Sequence, residues 1–146
     1  MARPRPLILV VVLSLLALPA LSAASPGAAV VVPAAKLAWS AAGIPGVSTA
    51  AVSGDMAKGS SRFYLKYAAG FVAPLHHHSP DHFVTTVAGD FRLVLDGKEQ
   101  PLAPGSYFSL TGAAAHGARC EGAVDCVLFI EARGPWDVVP EAAAKP

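Results

Sequence analysis

From Trp39 onward the chain is cut by turn signals at Gly54, Gly59, Gly70, Gly89-Asp90, Asp96-Gly97, Pro104-Gly105 and Gly122. Between them lie short runs of β-branched and aromatic residues: "STAAVSG", "RFYLKYAAG", "HFVTTVAGD", "FRLVLDG", "GSYFSL" and "CVLFIEARG". No stretch of 36–140 carries the three-to-four-residue apolar stripe that a helix buries. Asp96-Gly97 sits between "FRLVL" and "KEQPL", where a two-residue hairpin needs residues that tolerate positive φ. Many short strands with regular turns predict an all-β domain, a sandwich or a barrel.

The two ends of the chain read differently. Met1 to Ala24 has the form of a secretory signal: Arg3 and Arg5 precede the apolar run Leu7 to Leu18, and "ALSAAS" offers a cleavage site after Ala23 or Ala24. The run is short for a span of about 20 residues, so no stable membrane anchor is expected after cleavage, and the protein is expected to be periplasmic or secreted. Residues 25–38 form an Ala, Pro and Val-rich lead-in, 39–140 the domain, and 141–146 a tail expected to form at most a frayed helical turn without a chemical role. Without Arg3 and Arg5, eleven basic residues become nine, against ten acidic. No basic stripe remains, which excludes nucleic acid as an expected partner. Cys120 and Cys126 flank "EGAVD". In an exported chain an even count suggests a disulfide, across a hairpin if the flanking strands pair; the alternative is two small buried thiols.

Four of the five histidines lie in "HHHSPDH", residues 76–82, and the fifth is His116. In an extended segment alternate side chains share a face. His76, His78 and His82 then point one way, His77 and Asp81 the other, with Pro80 able to bend the run. Two imidazoles at i, i+2 on a strand suit Zn, Fe, Mn, Ni or Cu, while a histidine tract can also be a solvated loop.

The surroundings resemble the two signature motifs of the cupin superfamily. Gly70, His76, His78, His82 and Gly89 follow the first, with histidine in place of its usual glutamate; Gly105 and His116 follow the second. Thr111 and Ala113 stand where that second motif has proline and glycine, and Cys120 where it has asparagine. From about Trp39 to Pro140 the chain is similar to small exported cupins related to the cupin half of ChrR-type anti-sigma factors. The resemblance implies a small jelly-roll β-barrel with one divalent transition metal (Mn, Fe, Ni, Cu or Zn) held by His76, His78, His82 and His116, with His77 a bystander. It also implies a small-molecule ligand or substrate, and pairing of two copies through strand edges, with 39–53 the segment for such an exchange.

Four imidazoles leave about two positions of an octahedral ion for an oxygen chelate or dioxygen. Neither motif holds a glutamate to act as general base, which disfavours isomerisation and favours oxidation in which substrate and dioxygen meet on one ion. A binding or sensory module without turnover is the other reading. Tyr64, Tyr67, Tyr107, Phe83, Phe91 and Phe108 are the aromatic candidates for a pocket, most of them expected to be core.

Overall fold

The computed structural model of the chain describes residues 29–142; the segment expected to be a secretory signal, the first four residues of the lead-in and the last four of the tail lie outside the described residues. After a single exposed 3-10 turn at Ala34–Lys36 the chain is all strand and turn. The strands are β1 (Ser40–Ala41), β2 (Val47–Gly54), β3 (Ser61–Tyr67), β4 (Val72–His77), β5 (His82–Ala88) and β6 (Asp90–Leu95). They continue with β7 (Lys98–Leu102), β8 (Tyr107–Leu110), β9 (His116–Glu121), β10 (Cys126–Ala132) and β11 (Val139–Pro140). Two antiparallel sheets result, ordered β1-β2-β3-β10-β5-β8 and β11-β4-β9-β6-β7. The all-β expectation is met, in jelly-roll form, and no helix of the described residues is long and apolar enough to cross a membrane.

Alternation decides which face each strand buries. In β3, Ser61, Phe63, Leu65 and Tyr67 point inward while Arg62, Tyr64 and Lys66 point out. In β10, Cys126, Leu128, Ile130 and Ala132 do the same. These residues meet Val84, Phe91, Leu93 and Ala118 from the neighbouring strands in one core between the sheets. Burying each large apolar side chain contributes about 1.5–3 kcal/mol, enough over this set to fix the register. The Asp96-Gly97 hairpin forms as expected: both residues have positive φ (49° and 73°) and Leu95 pairs with Lys98.

Three expectations need correction. Residues 76–82 are not one extended run. β4 ends at His77, the chain bends through Ser79 and Pro80, and His82 opens β5 in the other sheet. The cysteines do not face each other across a hairpin. Cys120 and Cys126 are joined, but β9 and β10 belong to different sheets, so the bond stitches the two sheets together where the chain crosses between them. Finally, the tail begins as strand pairing: Glu141 N donates to Leu75 O at 3.0 Å, continuing the β11–β4 ladder.

Candidate metal centre

Four buried histidines converge at one end of the barrel from three kinds of position. His76 on β4 and His116 on β9 are direct cross-strand partners in one sheet. His82 begins β5 in the facing sheet, opposite Leu110 and Ala132. His78 stands in the bend between them. Ring centroids lie 4.3 Å apart for His76 and His116, 4.9 Å for His76 and His78, 4.9 Å for His78 and His82, and 5.9 Å for His82 and His116. Ligand atoms of His76, His78 and His116 all come within 4.8 Å of one another, so these three could hold an ion; His82 borders that group without joining it at this spacing. His77 points away as expected, its Nδ1 donating to Glu141 Oε1 at 2.5 Å.

The hydrogen bonds of the four rings share one pattern. Nδ1 of His76 donates to the carbonyl of Pro74 at 2.7 Å, and that of His78 to the carbonyl of Asp137 at 2.5 Å. Nδ1 of His82 donates to Pro80 O at 3.1 Å and that of His116 to Ala114 O at 3.0 Å. A carbonyl only accepts, so each neutral ring carries its proton on Nδ1 and leaves the Nε2 lone pair free. Three of these carbonyls lie two residues before the histidine they bind, so the local backbone sets the ring as well as the tautomer. Partners of this kind are what orient metal-binding histidines. Burial adds to this: desolvation pushes His78 down to about 3 and His116 down to about 4, and lowers His76 and His82 as well. All four rings are therefore neutral at pH 7 and ready to donate an electron pair. The donor set fits a divalent transition ion.

Two carboxylates hold the loops rather than face the centre. Asp81 Oδ1 accepts from Gly112 N at 2.9 Å, tying the bend before His82 to the loop before His116. Asp137 accepts from Ser79 N at 2.7 Å and Ser79 Oγ at 2.5 Å, and these bonds keep its carboxyl below the usual range. Its main-chain oxygen meanwhile receives His78.

The residue that the sequence reading missed is Trp136. Its ring stacks on His78 at 3.9 Å and stands edge-on to His82 at 5.2 Å and to Phe63 at 5.1 Å. It lies in the segment between β10 and β11, where no periodicity marks it; its backbone N donates to Met56 O at 2.7 Å. Of the six candidate aromatics, Tyr67, Phe91 and Phe108 border the interior beside the histidines. Tyr64 instead packs outside with Trp39 and Phe129, Phe83 lies under the Arg133 guanidinium, and Tyr107 is exposed. The outward parity of Tyr64 on β3 was readable, and that of Phe83 follows once β5 starts with His82 inward.

Two spaces meet at the centre. A void of about 20 Å³ in the filled interior touches His78, His82 and His116. A cavity of about 570 Å³ reaches His76 and His78 from the opening between β2 and the β4–β11 edge. Trp136 borders both.

Residues 63–131 match the family described as the cupin domain. No curated protein matches the sequence. Several solved structures share the fold. KdgF from Halomonas sp. is 22% identical, with TM-score 0.58 over 69% of this chain and 92% of that one. The polyketide cyclase RemF from Streptomyces resistomycificus is 17% identical, with TM-score 0.62 over 78% and 86% of the two chains. A salicylate 1,2-dioxygenase from Pseudoaminobacter salicylatoxidans, in complex with gentisate, is 15% identical with TM-score 0.53; the match covers 64% of this chain and 27% of that one. The sequence match marks residues 63–131 as a cupin domain, and the two-sheet roll shares its fold with these solved structures.

Proposed function

We propose that the protein is an exported cupin that binds one divalent transition ion through Nε2 of His76, His78, His82 and His116, and that it oxidises a small oxygen-chelating molecule with dioxygen. The observation that carries the metal reading is the shared hydrogen-bond pattern: four Nδ1–H groups bound to main-chain carbonyls, four Nε2 lone pairs left free. A bound ion would supply Lewis acidity and a common template for substrate and dioxygen. The protein's own part is to orient the four rings, keep them neutral and exclude bulk water. The oxidative reading is supported by the two carboxylates nearest the centre, since both are engaged: Asp81 with Gly112 and Asp137 with Ser79. Both serve to hold loops, Asp137 through both oxygens and Asp81 through Oδ1, so chemistry that needs a protein base is disfavoured. The dioxygenase among the structural neighbours lends the same reading modest support.

The same absence of a free base favours the second reading, a binding or sensory cupin without turnover, in keeping with the resemblance to the cupin half of ChrR-type anti-sigma factors. Export through the Met1 to Ala24 signal, and pairing of two copies through 39–53, belong to the proposal under either reading. The discriminating experiment is dioxygen uptake by metal-loaded protein offered catechols, β-diketones and hydroxy acids. Metal-dependent uptake with at least one of them, lost in His116→Ala, is the expected result. Binding of these chelators without uptake would replace the enzyme by the binding module.

A further inference from the structure

The cavity beside the centre has a composition that narrows what can enter it. Its walls are apolar: Val47 and Leu65 from β2 and β3, Met56 from the loop between them, Phe71, Leu75 and Val138. Among the described residues lining it there is no lysine or arginine. Its one carboxylate, Asp137, is held by Ser79. The imidazoles of His76 and His78 form one end of it, and apart from Asp137 the other polar side chains of the lining are the uncharged Thr49 and Tyr67. At about 570 Å³ the space is of the size that encloses a drug-sized molecule. Ligand sites that take phosphate or carboxylate groups use Arg, Lys or clustered backbone amides, and an anion here would face apolar side chains and a carboxylate instead.

We propose that this cavity is the substrate compartment, that it takes an uncharged, mainly apolar molecule with its oxygen-bearing head toward His76 and His78, and that Trp136 is the wall that stops the molecule from entering the barrel interior. This rests on the reading of the histidines as a metal centre, and it names the class of molecule that the centre would serve. Trp136 fits the role because it stacks on His78 while bordering both the large cavity and the small void. The void beyond it, about 20 Å³, has no room for more than a small molecule such as water or dioxygen. The substrate body and the innermost coordination space are thereby kept apart.

The test uses two fluorescent probes with closely related ring systems, neutral phenylnaphthylamine and anionic anilinonaphthalene sulfonate, titrated into the protein as purified and again after chelation. The neutral probe should bind at one per chain, about tenfold or more tighter than the sulfonate in the chelated protein. Energy transfer from tryptophan should persist in Trp39→Phe, where Trp136 is the remaining tryptophan. Thr49 lines the cavity from β2, so Thr49→Trp should weaken the neutral probe about tenfold while metal content stays unchanged. Thr49→Arg should shift the preference toward the sulfonate, and it carries the test should Thr49→Trp fail to fold. A sulfonate bound as tightly as the neutral probe by the chelated wild type, or an affinity indifferent to both Thr49 substitutions, would overturn the proposal. A wild-type protein that takes no metal yet binds the neutral probe as described would strike the metal reading and leave the compartment standing.

Discussion

The two ends of the barrel are built on opposite principles. Where β9 passes into β10, Cys120 and Cys126 are covalently joined, both 1% exposed or less, and packed among Phe91, Tyr67 and Leu128. Gly89 closes in so tightly there that a Cβ would come 2.6 Å from Cys126 Cα, which is why only glycine serves at a residue with φ of 85°. At the other end β9 carries His116, and Ala132 of β10 pairs with His82 of β5. There the interior is polar, and each ring spends one nitrogen on a carbonyl and keeps the other in reserve. One end is complete in the chain itself. The other has the form of a receptor whose rings are fixed before anything binds.

The contrast is broken or sharpened most strongly by metal. An ion bound by the folded chain alone should stabilise it by about 4 kcal/mol at a thousandfold excess over Kd. Thermal unfolding with and without chelator should show that shift, and its absence would mean that the histidine end is complete as it stands.

Acid should separate the ends next. The unfolded chain protonates its histidines near the ordinary value of 6.5, whereas burial holds His78 to about 3 and His116 to about 4 in the fold. Between these limits the unfolded state binds more protons, so stability is fully present above pH 6.5 and falls as pH drops toward 4. The slope is up to about 1.4 kcal/mol per pH unit for each such histidine. Denaturant melts of chelated protein across this window should show the loss, and His78→Gln should flatten it. The disulfide itself does not titrate and adds nothing to this slope.

Removing the disulfide is the converse test. Cys120→Ala with Cys126→Ala should cost about 2 kcal/mol, the value for a loop this small, and leave metal content per chain unchanged. Loss of metal in that variant would mean that the two ends are not independent.

The smallest effect concerns the loop that delivers His116. Ala113 stands where glycine is usual in the cupin motif, yet its φ is 57°. The backbone has kept the left-handed turn without the residue that suits it. Ala113→Gly should therefore stabilise the protein by about 1 kcal/mol, read as a raised denaturation midpoint.

These residues also mark how far the sequence could be read. Alternation put His76 and His78 on one face and His77 on the other, because parity is local. The motif spacing brought in His116, although nothing in its own surroundings shows that it pairs with His76 across β4 and β9. The count of cysteines pointed to the bond but not to its joining two sheets, since a short link between half-cystines looks the same in a hairpin and in a crossover. The motif glycines gave Gly89 its place, whereas the contact that demands it is with a strand 37 residues away. Trp136 was illegible for the same reason. It reaches the histidines from an irregular segment, and only the return of β11 to β4, with Asp137 holding Ser79, carries it there. Glu141, read as tail, became the partner of His77 by the same route.

The central claim is that the free Nε2 atoms of the buried histidines make one metal site. It is tested most directly by titrating chelated protein with Co(II) and following the visible absorption bands, for wild type, His77→Ala, His82→Ala and His116→Ala. Wild type and His77→Ala should saturate at about one ion per chain with the same spectrum. His116→Ala should take up little or none, and His82→Ala should bind more weakly with an altered spectrum. The claim is contradicted if His116→Ala binds as wild type does, or if His77→Ala alone loses the ion. If His82→Ala matches wild type in both affinity and spectrum, the site is that of His76, His78 and His116 alone.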